Sequence, residues 1–281
     1  MRFFNRTIAV DIGELGGDGF RVSDLFVKFK VVKTRSRVAN KIELEIANLA
    51  KTTRDQIREL DDFVVIRAGY GDLADLPIMT VGQVTLVNNQ RLPPDTITRI
   101  EAMDGIATTR NKRDSFSFRP GASVQQVLDD IVGRIGLAER TYNVQAEGTY
   151  PTGFAFSGRV TEALQKAVQK SGLEWSIQNN EIQIIDANGS YGAPAVLVSP
   201  SSGLIGSPRK KTEIKGRLIN TRANRGYTLK SLLNPTIEPG ALIRIESAEV
   251  EGNFRVDTIT HTGDNRGQDW FSDIEVTALN G

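Results

Sequence analysis

The chain has 281 residues, 39% of them hydrophobic and 25% charged, with a formal net charge of +1. That length holds one large or two to three ordinary domains with real cores, and that charge supplies no field to recruit nucleic acid or an anionic membrane. With no cysteine in the chain, disulfides, thiolate zinc sites and a cysteine nucleophile are excluded, and nothing points to a secreted, disulfide-stapled scaffold.

The first six residues carry charge but no apolar stretch of signal-peptide length. No apolar run approaches the roughly 18–20 residues of a spanning helix, so direct membrane insertion is not expected. The expectation is a soluble chain, kept in a cytoplasm or in an assembly built there. Residues 7–12 are a strand candidate that leads into a glycine-rich segment, 13–19. Residues 22–32 then alternate, with Phe26, Lys28 and Lys30 on one face and Leu25, Val27, Phe29 and Val31 on the other. A basic turn with Lys33, Arg35 and Arg37 follows. Residues 41–46 alternate again, Ile42, Leu44 and Ile46 opposite Lys41, Glu43 and Glu45. Residues 52–60 are predicted as a short helix capped by Thr52, with Ile57 and Leu60 as a narrow apolar stripe. Three strands come next, over 63–68, 78–87 and 96–102, the last two joined by a polar turn with Pro93-Pro94. No long βαβ crossover occurs, so this first unit is a barrel or a sandwich.

The middle changes period. Ser123 stands three residues before Gln126 as a capping box, Val124, Val127, Leu128, Ile131, Val132 and Ile135 follow helical spacing, and Gly136 ends the helix. The pattern recurs with Val160, Ala163, Leu164, Ala167 and Val168, closed by Gly172. Each helix leads into strand-like sequence, 141–145 after the first and 174–177 with 181–185 after the second. Two helix–strand repeats make a small α/β insert. Residues 186–194 have loop composition, 196–198 resume β character, and 199–208 are predicted as a turn-rich connection. An alternating run over 213–220, a short strand end or turn at 229–233 and punctuation at Pro235, Pro239 and Gly240 precede the last strands. Those strands, 241–246, 253–260 and 271–278, repeat the grammar of 63–105, down to Asp104-Gly105 and Asn280-Gly281 at the two exits. The fold class is mainly β with an α/β insert, divided as 1–114, 115–190 and 191–281.

Few residues invite chemistry. The run Asp11-Ile12-Gly13 with Gly16-Gly17-Asp18-Gly19 resembles the first phosphate loop of sugar-kinase and actin-like ATPases, but the further motifs are missing and Asp-Gly turns make ordinary hairpins. The single histidine, His261, cannot form a multi-histidine metal site and reads as a structural polar residue. The neighbouring pairs Asp61-Asp62 and Asp129-Asp130 read as solvated faces. The basic clusters Lys33-Arg35-Arg37, Arg110-Lys112-Arg113 and Arg209-Lys210-Lys211 lack interleaved aromatics and read as solvated turns or salt-bridging contacts, and Trp175 and Trp270 read as core. No catalytic residue, metal or cofactor is assigned.

Taken in order, these stretches resemble the baseplate hub proteins of contractile-tailed phages. The resemblance is carried by Asn48-Leu49, the 52–60 helix and residues 63–70. It continues through Asp104-Gly105 before Ser115-Phe116-Ser117, the Gly121/Ser123 helix, residues 200–208, Leu233-Asn234-Pro235 with Pro239-Gly240, and residues 261–265. It spans nearly the whole chain, through order and spacing rather than any one motif. It implies two tail-tube-like antiparallel β-barrels flanking the insert, in a homotrimer whose six barrels form a pseudo-hexameric ring. That ring would join a six-fold tail tube to a three-fold central spike, with tape-measure and baseplate wedge proteins as further partners. The implied place is the virion baseplate, assembled in the host cytoplasm, with an axial channel that passes the genome without sequence-specific binding. A secretion-system or tailocin particle of the same architecture is equally compatible. The resemblance implies no enzymatic activity; lysozyme activity in such assemblies belongs to the spike or another tail protein. In a ring, apolar stripes are buried between neighbours, and the expected interface residues are Leu25, Val27, Phe29, Val31, Ile42, Leu44 and Ile46. The competing functions are a tail-associated cell-wall hydrolase using paired carboxylates, and a monomeric β-barrel carbohydrate-binding or adaptor module.

Overall fold

Alternating runs form strands because each sets one apolar face on a core and leaves one polar face outside. The computed structural model describes residues 5–105, 112–141, 146–211 and 226–279. The first part contains β1 (Arg6–Gly13), β2 (Gly19–Val22), β3 (Val27–Thr34), β4 (Lys41–Ala47), the single-turn helix α1 (Lys51–Arg54), β5 (Phe63–Tyr70), β6 (Ile78–Leu92) and β7 (Asp95–Met103). The last part contains β15 (Tyr191–Val198), β16 (Leu204–Lys210), β17 (Gly226–Leu232), β18 (Ala241–Glu246), β19 (Glu251–Asp264) and β20 (Trp270–Ala278). One 13-stranded sheet runs through both parts in the order β16-β17-β20-β19-β3-β4-β7-β6-β5-β1-β2, with β18 and β15 branching from β19. The two parts are therefore joined by hydrogen bonds, β19 lying antiparallel to β3 from Thr258↔Thr34 to Asp264↔Lys28.

Both predicted meanders are present. β5-β6-β7 and β18-β19-β20 are antiparallel throughout. Each central strand carries a register shift opposite the third strand, between Val84 and Leu86 in one and between Val256 and Thr258 in the other. An extra residue bends a strand and raises its local twist, which lets each meander wrap its own core.

Between them lie β8 (Arg113–Phe118), β9 (Ala122–Ser123), α2 (Val124–Ile135), β10 (Ala138–Thr141), β11 (Thr149–Tyr150), β12 (Phe154–Arg159), α3 (Val160–Lys170), β13 (Leu173–Gln178) and β14 (Glu181–Asp186). The Ser123 side chain accepts from Gln126 N at 3.1 Å and Gly136 closes α2 in the left-handed region, as the sequence signals require. β8 pairs with β12, while β10, β14 and β13 share a second small sheet. The described residues form three buried clusters. One gathers the strands from Ile8 to Ala102 together with Leu233 and Trp270, one spans Ala122 to Ile184, and one spans Val198 to Val276.

Several expectations change. Val27, Phe29, Val31, Ile42, Leu44 and Ile46 are 0–1% exposed and Leu25 packs against them, so the residues expected at an interface form the chain's own first core. A half-buried sheet can turn only one face inward, and the charged alternation is the one left outside. The helix expected over 52–60 is only α1, whose N-cap is Ala50 with no side-chain cap bond; Leu60 is 56% exposed at φ 66, and no apolar stripe forms. The run 22–32 divides into β2 and β3. The expected connection 199–208 holds most of β16, a strand hidden by its Gly, Ser and Pro content; Pro208 is tolerated there because the strand pairs on one side only. Lys33 is fully buried and Asp62 is 3% exposed, so neither is solvated. Arg209 and Lys210 lie in β16 rather than a turn. The run 213–220, Arg110, residues 142–145 and the Asn280-Gly281 exit lie outside the described residues.

Candidate functional site: a strand wall and the junction behind it

Eight strands of the large sheet, β16-β17-β20-β19-β3-β4-β7-β6, make one wall. Its uncovered face is polar and ordered by register. Lys28 stands opposite Glu45, Lys30 opposite Glu43, Glu45 opposite Arg99, Thr260 opposite Asp273, and Thr262 opposite Lys30. Arg99 Nε meets Glu45 at 2.8 Å, and Lys41 Nζ meets Glu43 at 2.8 Å. Cross-strand pairs of opposite charge keep this face close to neutral while leaving it hydrated. A shallow depression of about 640 Å³ lies elsewhere, between the β3–β4 turn at Arg37 and Val38 and the outer side of α3 at Arg159, Gln165 and Lys166.

Behind the wall, three parts of the chain meet through buried polar groups. Asn179 and Asn180, both at positive φ, form the two-residue turn of the β13–β14 hairpin. The fully buried Asp104 carboxylate accepts their backbone N–H groups at 2.7 and 2.6 Å. Asn40 Nδ2 donates to Ile177 O at 2.9 Å and Gln178 Oε1 at 3.0 Å. Lys33 Nζ donates to Asn179 Oδ1 at 3.0 Å and Met79 O at 3.2 Å, and lies 3.6 Å from Glu238. Glu238 accepts in turn from Asn179 Nδ2 at 2.8 Å and from the Tyr191 hydroxyl at 2.7 Å. Arg35 bridges Glu174 of the insert and Asp257 of β19. Burial raises the Asp104 pKa, against the pull of Lys33 and the hydrogen bonds it accepts. In the sequence Asp104 is marked only as an exit residue and Glu238 only as part of the Glu238-Pro239-Gly240 punctuation, while Asn40 and Asn179 carry no functional signal. The Asn-Asn pair between two strand-like runs was the turn signal available.

The residues weighed for chemistry are committed to structure. Asp11 is held by Arg21 at 2.6 Å and faces Arg67 at 3.7 Å within the β1–β2 hairpin and its β5 neighbour, and Gly13 is required because a Cβ there would strike the backbone of Asp18 and Gly19. Asp62 accepts from Arg58 N at 2.9 Å and Nη2 at 2.7 Å; Asp130 pairs with Arg134. His261 is fully buried with Nδ1 2.8 Å from Ser272 Oγ, and burial, helped by Lys33, lowers its pKa to about 3, so the ring is neutral near pH 7. Trp175 and Trp270 are both in cores. Among the described residues no group of three His, Asp or Glu side chains forms a metal site, and no helix is long and apolar enough to cross a membrane.

No family model and no curated protein matches the chain. Solved structures do. A tail protein from Neisseria meningitidis MC58 superposes with a TM-score of 0.67 at 9% identity, over 98% of this chain and 97% of that one. The 43 kDa tail protein of prophage MuSo2 from Shewanella oneidensis gives 0.64 at 10% identity, over 96% and 97%. The E. coli c3393 protein, described as a type VI secretion component similar to the T4 tail proteins gp27 and gp5, gives 0.64 at 11% identity, over 96% of this chain and 77% of that one. At these identities the likeness is one of fold alone, shared with two phage-type tail proteins and a type VI secretion component.

Proposed function

We propose, for a chain with the fold of phage tail proteins, a structural role as the hub subunit of a contractile tail baseplate or a related injection particle. Three copies form a pseudo-hexameric ring between a six-fold tube and a three-fold spike. Segments 1–114 and 191–281 act as the tube-like barrels, and 115–190 as the insert between them. The observation that carries this reading is the eight-stranded wall, in which both β segments already stand side by side and each end offers an open strand edge. Beyond Gln83, β6 pairs only with β7, and β16 pairs only with β17. Exposed strand edges invite pairing with another chain, and a contact between two different edges propagates until it closes into a ring.

The near-neutral, mostly polar face suits a channel lining, because it offers passing cargo no uniform field. Tube, spike, tape-measure and wedge proteins are the partners this role requires, and the virion its place. Engagement of Asp62, Asp130 and His261 in internal bonds favours a non-enzymatic role. Class averages of the purified protein in electron micrographs should present a three-fold ring with a central hole. Isolated globules at every concentration, with spike present, would remove the proposal.

A further inference from the structure

The two halves of the wall correspond strand by strand, and the correspondence extends past the meanders. β3-β4-β7-β6-β5 and β16-β17-β20-β19-β18 are traversed in the same spatial order with every neighbour antiparallel. Register aligns them residue by residue. Ile100 faces Leu44 on one side and Val87 on the other, as Ile274 faces Leu229 and Ile259. One polar pair is duplicated too: Thr98 donates to Asn89 at 2.8 Å where Ser272 and His261 stand 2.8 Å apart. β19 is therefore the counterpart of β6, and β16 the counterpart of β3.

In this alignment the internal junction is a worked example of the missing one. Within the chain, β19 pairs with β3; the strand equivalent to β19 with a free edge is β6, and the strand equivalent to β3 with a free edge is β16. We infer that β6 of one copy pairs antiparallel with β16 of the next, in the register that β19 keeps with β3. Thr262 opposite Lys30 becomes Gln90 opposite Arg209, and Asp264 opposite Lys28 becomes Leu92 opposite Ile205. The occupant of each edge is thus a second copy of this chain, and the inference rests on the ring proposed above.

Exposure at the two edges fits this pairing. Leu92 is 45% and Ile205 41% exposed, two large apolar side chains on opposite ends of the wall that the register would bring together on one face. The open stretch of β6 begins past Val87, whose amide is held by the Glu59 carboxylate at 2.7 Å. On β16 four positions separate Ile205 from Arg209 where β17 advances by two, so the strand bows there, and the pairs Gln90–Arg209 and Leu92–Ile205 lie on either side of that bulge.

The chain has no cysteine, which makes the register directly testable in the full-length protein. Opposed residues in an antiparallel pair have Cβ atoms about 4.5–5.5 Å apart and diagonal ones about 7–8 Å, and only the former approach disulfide geometry. Native mass spectrometry first establishes whether trimers form. In trimers, mild oxidation of the Gln90→Cys/Arg209→Cys protein should yield covalent trimer, with Asn88→Cys/Arg209→Cys giving about tenfold less. Trimers in which the Asn88 pair cross-links and the Gln90 pair does not would overturn the register. Trimers in which neither pair cross-links would overturn the edge contact and leave the hub standing. Protein that stays monomeric at every concentration, with spike present, would overturn the hub itself.

Discussion

His261 and Asp104 are both fully buried at the junction, and they respond to acid in opposite directions. The folded pKa of His261, about 3, lies below its ordinary 6.5, chiefly through burial and then through Lys33, with Glu238 working weakly the other way. The unfolded chain therefore binds a proton that the folded chain refuses. Stability is whole above pH 6.5 and falls as the pH drops toward 3. Between pH 7 and pH 5 this one group should remove about 2 kcal/mol of folding free energy. Asp104, raised by burial, takes up its proton in the folded state first and offsets part of the loss at lower pH. His261→Asn copies the Asn89–Thr98 arrangement of the other half, and urea titrations at the two pH values should differ less for it than for the parent. An unchanged difference would mean that His261 does not set the acid sensitivity. Sequence could call His261 structural because it is the only histidine; that it lies beside Lys33 and Glu238 is a product of β3, β19 and the 238–240 turn converging.

At the scale of elements, the decisive contact is β19 against β3. Gly263 faces Phe29 across that pair, and a Cβ built on Gly263 would lie 2.2 Å from Phe29 Cζ, far inside van der Waals contact. Phe29 itself is 1% exposed and meets Trp270 edge-on with centroids 5.8 Å apart, so it has no room to retreat. Gly263→Ala should therefore cost about 1–3 kcal/mol, visible as a lower urea midpoint; an unchanged midpoint would mean the junction is looser than its packing indicates. Most elements are legible from period alone. β4 and α2 are clear because one face of each is uniformly apolar, and α2 also has Ser123 and Gly136 as cap signals. β16 and α1 depart from the expectation for a shared reason. Short edge elements bury few side chains, so composition overrides pattern in the sequence, while in the fold their position is set by the neighbour they pair with or follow.

For the whole molecule, the buried network ties the three segments into one mechanical body. Asp104 and Lys33 from the first, Asn179 from the insert and Glu238 from the last share hydrogen bonds, with Asp104, Lys33 and Glu238 buried. Partial separation would strand buried charges, which costs several kcal/mol per unpaired group. Unfolding should then be a single transition. The two tryptophans allow a direct check, since Trp175 sits in the insert core and Trp270 in the first β core. Fluorescence of Trp175→Phe and Trp270→Phe proteins, each reporting on the remaining ring, should give urea curves with matching midpoints once each variant's own stability is accounted for by far-UV circular dichroism. A Trp175 signal that changes well before the circular dichroism does would mean the insert opens alone.

By itself, the sequence determined the segment order of β, α/β and β, the repeat of 63–105 in 241–281, the ends of α2 and the want of any cysteine chemistry. Those follow from periodicity, capping and residue inventory, which are local properties. The tertiary structure decided which alternation of β3 and β4 faces inward, why Lys33 and Asp62 are buried, and that the two β segments form one wall rather than two separate bodies. These depend on strand partners far apart in the chain, such as Lys30 with Thr262. A two-residue period names two faces without saying which one a distant neighbour will cover.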